Sequence, residues 1–129
     1  MKIRWMQNSL RLRITPSELA TLQRGDIIQE ELCLPLSSVP VWAVNVSPCT
    51  TETEILAFGS SIQIHLCPQD LTKLSHPANE GVYFSCQTKG ASFSYYIEKD
   101  FPCIHPRPQE VDEPETETFA LPLGLAHQK

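Results

Sequence analysis

The stretch "NSLRLRITPSELATLQRG", residues 8–25, contains a turn, an alternating strand, a capped helix and a stop. A second stretch, "SSIQIHLCPQDLTKLSHP", residues 60–77, repeats that pattern. Ser9 falls on Ser61, Pro16 on Pro68, Leu19 on Leu71 and Leu22 on Leu74, and the same shift carries Ile3 onto Ile55 without a gap. Leu10, Leu12 and Ile14 fall on Ile62, Ile64 and Leu66, while Glu18 falls on Asp70.

Leu10, Leu12 and Ile14 alternate with Arg11 and Arg13, the period of a strand buried on one face. Ile3 and Trp5 alternate with Lys2 and Arg4 in the same way. A two-residue hairpin at Gln7-Asn8 sets Arg4 opposite Arg11 and Lys2 opposite Arg13. Ile3 then meets Leu12, and Trp5 meets Leu10, on the other face. Thr15 reads as a helix N-cap: Pro16 suits the first helical turn, and Glu18 completes a T-x-x-E capping box. Gly25 supplies a left-handed stop. "IIQEELCL" (27–34) and "VWAVNV" (41–46) read as strands separated by a loop from Pro35 to Pro40, and "GVYFSCQT" (81–88) and "FSYYIEKDF" (93–101) read as the corresponding strands of the second half.

One strand-helix-strand-strand unit cannot cover both faces of its own sheet, whereas two copies about a pseudo-twofold axis can bury their apolar faces together. The expected fold class is therefore α+β: an internally duplicated strand-helix-strand-strand unit forming a mostly antiparallel sheet or barrel with two short helices. The Leu and Ile faces, with Trp5, Trp42 and Phe93, are expected to supply the core. Residues 1–101 are expected to form one globular domain with halves 1–50 and 53–101. Residues 102–129, rich in proline and acid, read as an extended or mobile tail in which "ALPLG" is apolar enough to dock on the body.

The chain has 129 residues, is 41% hydrophobic and carries a formal charge of −5, so it is long and apolar enough for a real core. Residues 1–101 hold 8 Lys+Arg against 10 Asp+Glu, and residues 102–129 hold 2 against 5. Such a balance gives no general attraction to nucleic acid or an anionic membrane. No 18-residue apolar run and no leader-like start stand in the sequence, so the expected address is cytoplasmic, with no membrane partner. Five widely spaced cysteines, an odd count, fit free thiols in a reducing compartment.

Lys2, Arg4, Arg11 and Arg13 are the most distinctive group. Like charges directly opposite one another repel, so something negative is expected nearby. Guanidinium forks suit phosphate and carboxylate, which points to an anionic ligand. The protein's own acids are the alternative: Glu30 and Glu31 on the next strand, Glu98 and Asp100 at the last, or the tail. Glu98 and Asp100 share a face if their strand continues, as a carboxylate pair for acid–base work would. His65 and Cys67 repeat the spacing of Cys103 and His105, but neither is a C-x-x-C pair and no metal site is expected. No nucleophile elbow, dinucleotide fingerprint or phosphate loop occurs. No catalytic residue and no cofactor are assigned.

"MKIRWMQNSLRLRITPSEL" together with "YYIEKDFPC" resembles a family of short bacterial proteins of unknown function over roughly residues 1–117. Lys2, Ile3, Arg4, Asn8, Ser9, Arg11, Arg13 and Glu18 carry the opening motif, and Glu98, Lys99, Asp100, Phe101 and Cys103 the closing one. The resemblance implies membership without an activity. "ITPSELATLQRGDII" also looks like the strand-helix-strand of swapped-hairpin transcription regulators and cradle-loop barrels.

Three functions are weighed on this basis. The preferred one is a non-catalytic binding or accessory module holding a protein partner or a small anion at Lys2, Arg4, Arg11 and Arg13. The second is a small enzyme acting on an anionic substrate, a phosphate or carboxylate, with Glu98 or Asp100 as acid or base. The third, a DNA-binding regulator, is disfavoured by the acidic charge.

Overall fold

A computed structural model describes residues 1–36, 38–102 and 118–120. The first half runs β1 (Lys2–Met6), β2 (Ser9–Ile14), α1 (Pro16–Gln23), β3 (Ile28–Leu32) and β4 (Trp42–Pro48). The second repeats the order as β5 (Glu54–Phe58), β6 (Ser61–Leu66), α2 (Pro68–Ser75), β7 (Gly81–Thr88) and β8 (Ala91–Lys99). This is an α+β fold, mostly sheet.

The strands form two four-stranded sheets, β1-β2-β8-β7 and β3-β4-β6-β5. Each sheet thus takes its hairpin from one half and its last two strands from the other. Both central pairs, β2 with β8 and β4 with β6, are parallel, and the remaining pairs are antiparallel. Neither sheet closes into a barrel: β1 and β7 are the edges of one, β3 and β5 of the other. The exchange answers the coverage problem posed by the sequence, because neither half completes a sheet without strands of its counterpart.

The hairpin register reads as the alternation requires, with Lys2 opposite Arg13, Ile3 opposite Leu12, Arg4 opposite Arg11 and Trp5 opposite Leu10. On the apolar side Leu12 lies beside Ile97 in one sheet and Ile64 beside Val46 in the other. All four are at 0% exposure, the centre of the core. The helices meet at equivalent positions: Gln23 Nε2 donates to Ser75 Oγ at 2.9 Å, 52 residues away. Contact between two equivalent positions marks a local twofold axis, which here passes between α1 and α2.

Local chemistry differs between the copies. At α1, Glu18 N–H donates to Thr15 Oγ1 at 3.2 Å and Thr15 N–H to Glu18 Oε1 at 2.9 Å, a complete capping box. Gly25, at φ +90, ends that helix as expected. At α2 the N-cap is Cys67, whose side chain makes no capping bond. Thr53 substitutes, its Oγ1 accepting from Cys67 N–H at 2.9 Å and donating to Asp70 Oδ2 at 2.5 Å.

Several expectations change. Trp5 is 55% exposed rather than a core residue, and Trp42 is only half-buried; Phe93 is partly buried and packs on the core's edge. Trp5 lies on an edge strand whose apolar side reaches only the rim of the other sheet, where the two indole rings meet at 5.0 Å. The strand expected at 27–34 is shorter, Ile28–Leu32, and the one expected at 93–101 begins at Ala91 because Gly90, at φ +75, turns the chain early. It stops at Lys99, where Asp100 N–H turns to Ile14 O at 3.0 Å. Of the tail, Phe119 is described: its N–H donates to Asp100 O at 2.8 Å, and its ring meets Phe101 edge-on at 6.0 Å. The proposed docking of "ALPLG" beyond Ala120 lies outside the described residues. Among the described residues no helix is long and apolar enough to cross a membrane.

Candidate anion-binding face

Period-two alternation sends Lys2, Arg4, Arg11 and Arg13 to the side of the β1–β2 hairpin opposite Leu10, Leu12 and Ile14. There they line a hollow of about 110 Å³ together with Ile3. That is room for a phosphate or carboxylate with a few waters, and well below the roughly 300–1,000 Å³ of pockets that engulf a large cofactor.

Parallel pairing of β2 with β8 sets Arg13 beside Glu98 and Arg11 beside Tyr96. Glu98 Oε1 lies 3.3 Å from Arg11 Nε and 3.8 Å from Arg13 Nε, and Oε2 accepts from Tyr83 Oη–H at 3.1 Å. Gly81 makes this reach compatible with the neighbouring strand. A Cβ there would stand 2.6 Å from the Ile97 carbonyl oxygen and 3.0 Å from Glu98 Cγ. Asp100 is buried, and its Oδ2 lies 3.0 Å from Lys2 Nζ. The two carboxylates therefore serve different cations rather than acting as a pair on one partner.

The charges do not cancel. Four cations face two carboxylates, and Arg4 has no acidic partner among the described residues. Arg11 Nε and Asp100 Oδ2 are buried atoms whose charge contacts lie off the hydrogen-bonding direction, so neither has an aligned partner among the described residues. A buried donor left in that state is stabilised by an incoming acceptor.

Glu30 and Glu31, the other acids weighed for this group, are elsewhere. Glu30 Oε1 accepts from the Met1 α-ammonium at 3.3 Å, beside Glu18 Oε2 at 2.7 Å, and Glu31 accepts from Gln29. The "EKDF" motif divides its labour by alternation. Glu98 goes to the cationic face and Asp100 to Lys2, while Lys99 points to the other side. Buried Lys99 donates from Nζ to the carbonyl of His76, the C-cap of α2, at 2.8 Å and lies over the Phe119 ring. Burial pulls its pKa down.

Tyr83 and Tyr96 belong to this face and were not among the sequence candidates. The signal was present: Tyr96 is two residues from Glu98, and a two-residue turn at Lys89-Gly90 places Tyr83 opposite Tyr96. Burial, then the charge and hydrogen bond of Glu98, push the Tyr83 phenol up to about 12. Burial, with the acidic groups of Cys86, Asp70 and Glu54, does the same for Tyr95, also to about 12. The unfolded phenol titrates near ~10. The folded state thus holds protons that the unfolded state releases, and this stabilisation is complete below about pH 10 and lost as pH rises toward 12. Tyrosinate absorbance is expected to show Tyr83 and Tyr95 ionising late in the folded protein, and Tyr83→Phe is expected to remove one late step. A single step at the free-phenol position in folded protein contradicts the Tyr83–Glu98 contact.

The metal candidates are not assembled. His65 Nδ1 lies 3.3 Å from Glu54, Cys67 Sγ lies 3.1 Å from Asp70, and no group of three metal-ligating side chains occurs among the described residues. Cys103 and His105 lie outside the described residues. Cys33, Cys49, Cys67 and Cys86 are free thiols.

No curated protein and no solved structure matches the chain. The family model described as "Family of unknown function (DUF7009)" matches residues 1–122, nearly the whole sequence, and the chain belongs to that family.

Proposed function

We propose that this protein is a non-catalytic binding module whose ligand is a small anion, a phosphate or carboxylate, held at Lys2, Arg4, Arg11 and Arg13. The observation that carries the reading is the surplus of positive charge around the hollow, with Arg4 lacking an acid and Arg11 Nε lacking an aligned acceptor among the described residues. Glu98 is engaged by Arg11, Arg13 and Tyr83, and Asp100 by Lys2. Carboxylates committed to cations favour binding over acid–base catalysis. A net charge of −5 favours a small anion over DNA. The free thiols fit a reducing, cytoplasmic setting.

Arg4 is the residue to test, since its side chain makes no hydrogen bond or ion pair among the described residues. In calorimetric titrations at low salt, Arg4→Ala is expected to weaken binding of the best anion in a panel of phosphates and small carboxylates by about tenfold or more. Its thermal stability should be unchanged. Equal affinity of Arg4→Ala and the parent, or no binding by any member of the panel, overturns the reading.

A protein partner is the second reading, favoured by a different surface. The ring of exposed Trp5 lies tilted against that of Trp42, whose strand partner Leu32 is exposed, and the following loop carries exposed Leu34, Leu36 and Val39. Apolar surface of this kind marks contact sites. Both tryptophans of the sequence stand there. Anion binding is expected to leave their emission unchanged, whereas covering that rim shifts it to the blue.

A further inference from the structure

The cationic hollow is one end of a longer surface. Strand pairing lines up Arg4, Arg11, Tyr96 and Tyr83 in one row across all four strands of the β1-β2-β8-β7 sheet. The Arg11 guanidinium carbon lies 5.3 Å from the Tyr96 ring centroid, and the Tyr96 and Tyr83 rings are 5.6 Å apart. Tyr83 is 51% exposed, in the interior of a strand and on the same face as the four cations. The adjacent row holds Ser94 opposite Ser85, so no large side chain stands over the rings on that side. Adjacent strands are about 4.8 Å apart, which puts Tyr96 roughly 10 Å from Arg4 across the sheet.

We propose that this face binds a planar aromatic ring joined to an anionic group, in chemical class a nucleoside monophosphate, with the anion in the Lys2–Arg4–Arg11–Arg13 hollow and the ring against Tyr83 and Tyr96. The inference rests on the anion-binding reading and adds the ring site to it. Aromatic faces stack bases of any identity, and a guanidinium beside them adds cation–π attraction. The net charge of −5 opposes a long polyanion far more than a single phosphate, so the monomer is the occupant.

The test compares adenosine 5′-monophosphate, ribose 5-phosphate and inorganic phosphate by calorimetry on the full chain, with saturation-transfer NMR on the base protons. The nucleotide is expected to bind about tenfold or more tighter than ribose 5-phosphate. Tyr83→Leu is expected to erase that difference while leaving ribose 5-phosphate binding intact, and Tyr83→Phe to preserve it. Equal binding of the nucleotide and the sugar phosphate, or a ratio unaltered in Tyr83→Leu, overturns the ring site and leaves the anion reading standing. No binding by any of the three phosphates overturns the nucleotide proposal, and the anion reading is overturned with it only if the small carboxylates of the panel also fail to bind.

Discussion

Fragments 1–50 and 51–129, made separately, are expected to lack a cooperative unfolding transition and to regain sheet structure when mixed. The break falls in the connection between β4 and β5, the two strands that flank β6. In the first fragment β2 has lost β8 and β4 has lost β6, the two central pairings. What remains is two two-stranded pieces, and a two-stranded sheet is marginal in water by itself. Leu12 and Val46, fully buried in the whole chain, would face solvent along one side. Mixing restores both sheets at once because each fragment supplies its hairpin to one sheet and its last two strands to the other. Circular dichroism and chemical denaturation of each fragment and of the mixture check this. A monomeric fragment that unfolds cooperatively is incompatible with exchanged sheets.

The second large effect concerns the middle of the core. Ile97 is at 0% exposure on a central strand, beside Leu12 on one side and Val82 on the other. Ile97→Ala is expected to cost about 2–5 kcal/mol and Ile97→Val about 0.5–1.5 kcal/mol, transfer and cavity contributions together. Against a total of roughly 5–15 kcal/mol, the larger loss brings the protein close to unfolding at ordinary temperature. The companion variant Trp5→Ala removes a larger side chain but is expected to cost less than Ile97→Ala, because more than half of the indole is already in water. Denaturant midpoints at unchanged slope measure both. The reverse order, with Trp5→Ala the more damaging, means that the tryptophans belong to the core after all.

Much of the local structure was legible in the residues. The Leu10–Arg11–Leu12–Arg13–Ile14 alternation specifies which side chains share a face, and the two-residue turn specifies the register across the hairpin. Thr15, Pro16 and Glu18 announce a helix start because the orphan N–H groups there need those oxygens. The cationic half of the candidate face follows from the same alternation. Its aromatic half was within reach too, since the period that groups Glu98 with Tyr96 needs only the next turn to add Tyr83. The burial of Trp5 and Trp42 was not, because hydrophobic character states a preference and says nothing about whether an opposing surface exists.

By itself, then, the order of residues determined the elements, their registers within hairpins, the repeat and the sign of the charge on one strand face. These are short-range matters of dihedral preference, side-chain period and capping. Only the tertiary structure decided that each hairpin pairs with the strands of the other half, that the sheets remain open, and that Glu98 stands between Arg11 and Arg13. Those outcomes depend on pairings between the two halves, which in the β1-β2-β8-β7 sheet join residues more than eighty positions apart, Leu12 with Ile97 and Arg13 with Glu98, and in the other sheet join Val44 with Ile62. No local pattern encodes them, because the free energy that selects them comes from burying two incomplete sheets against each other.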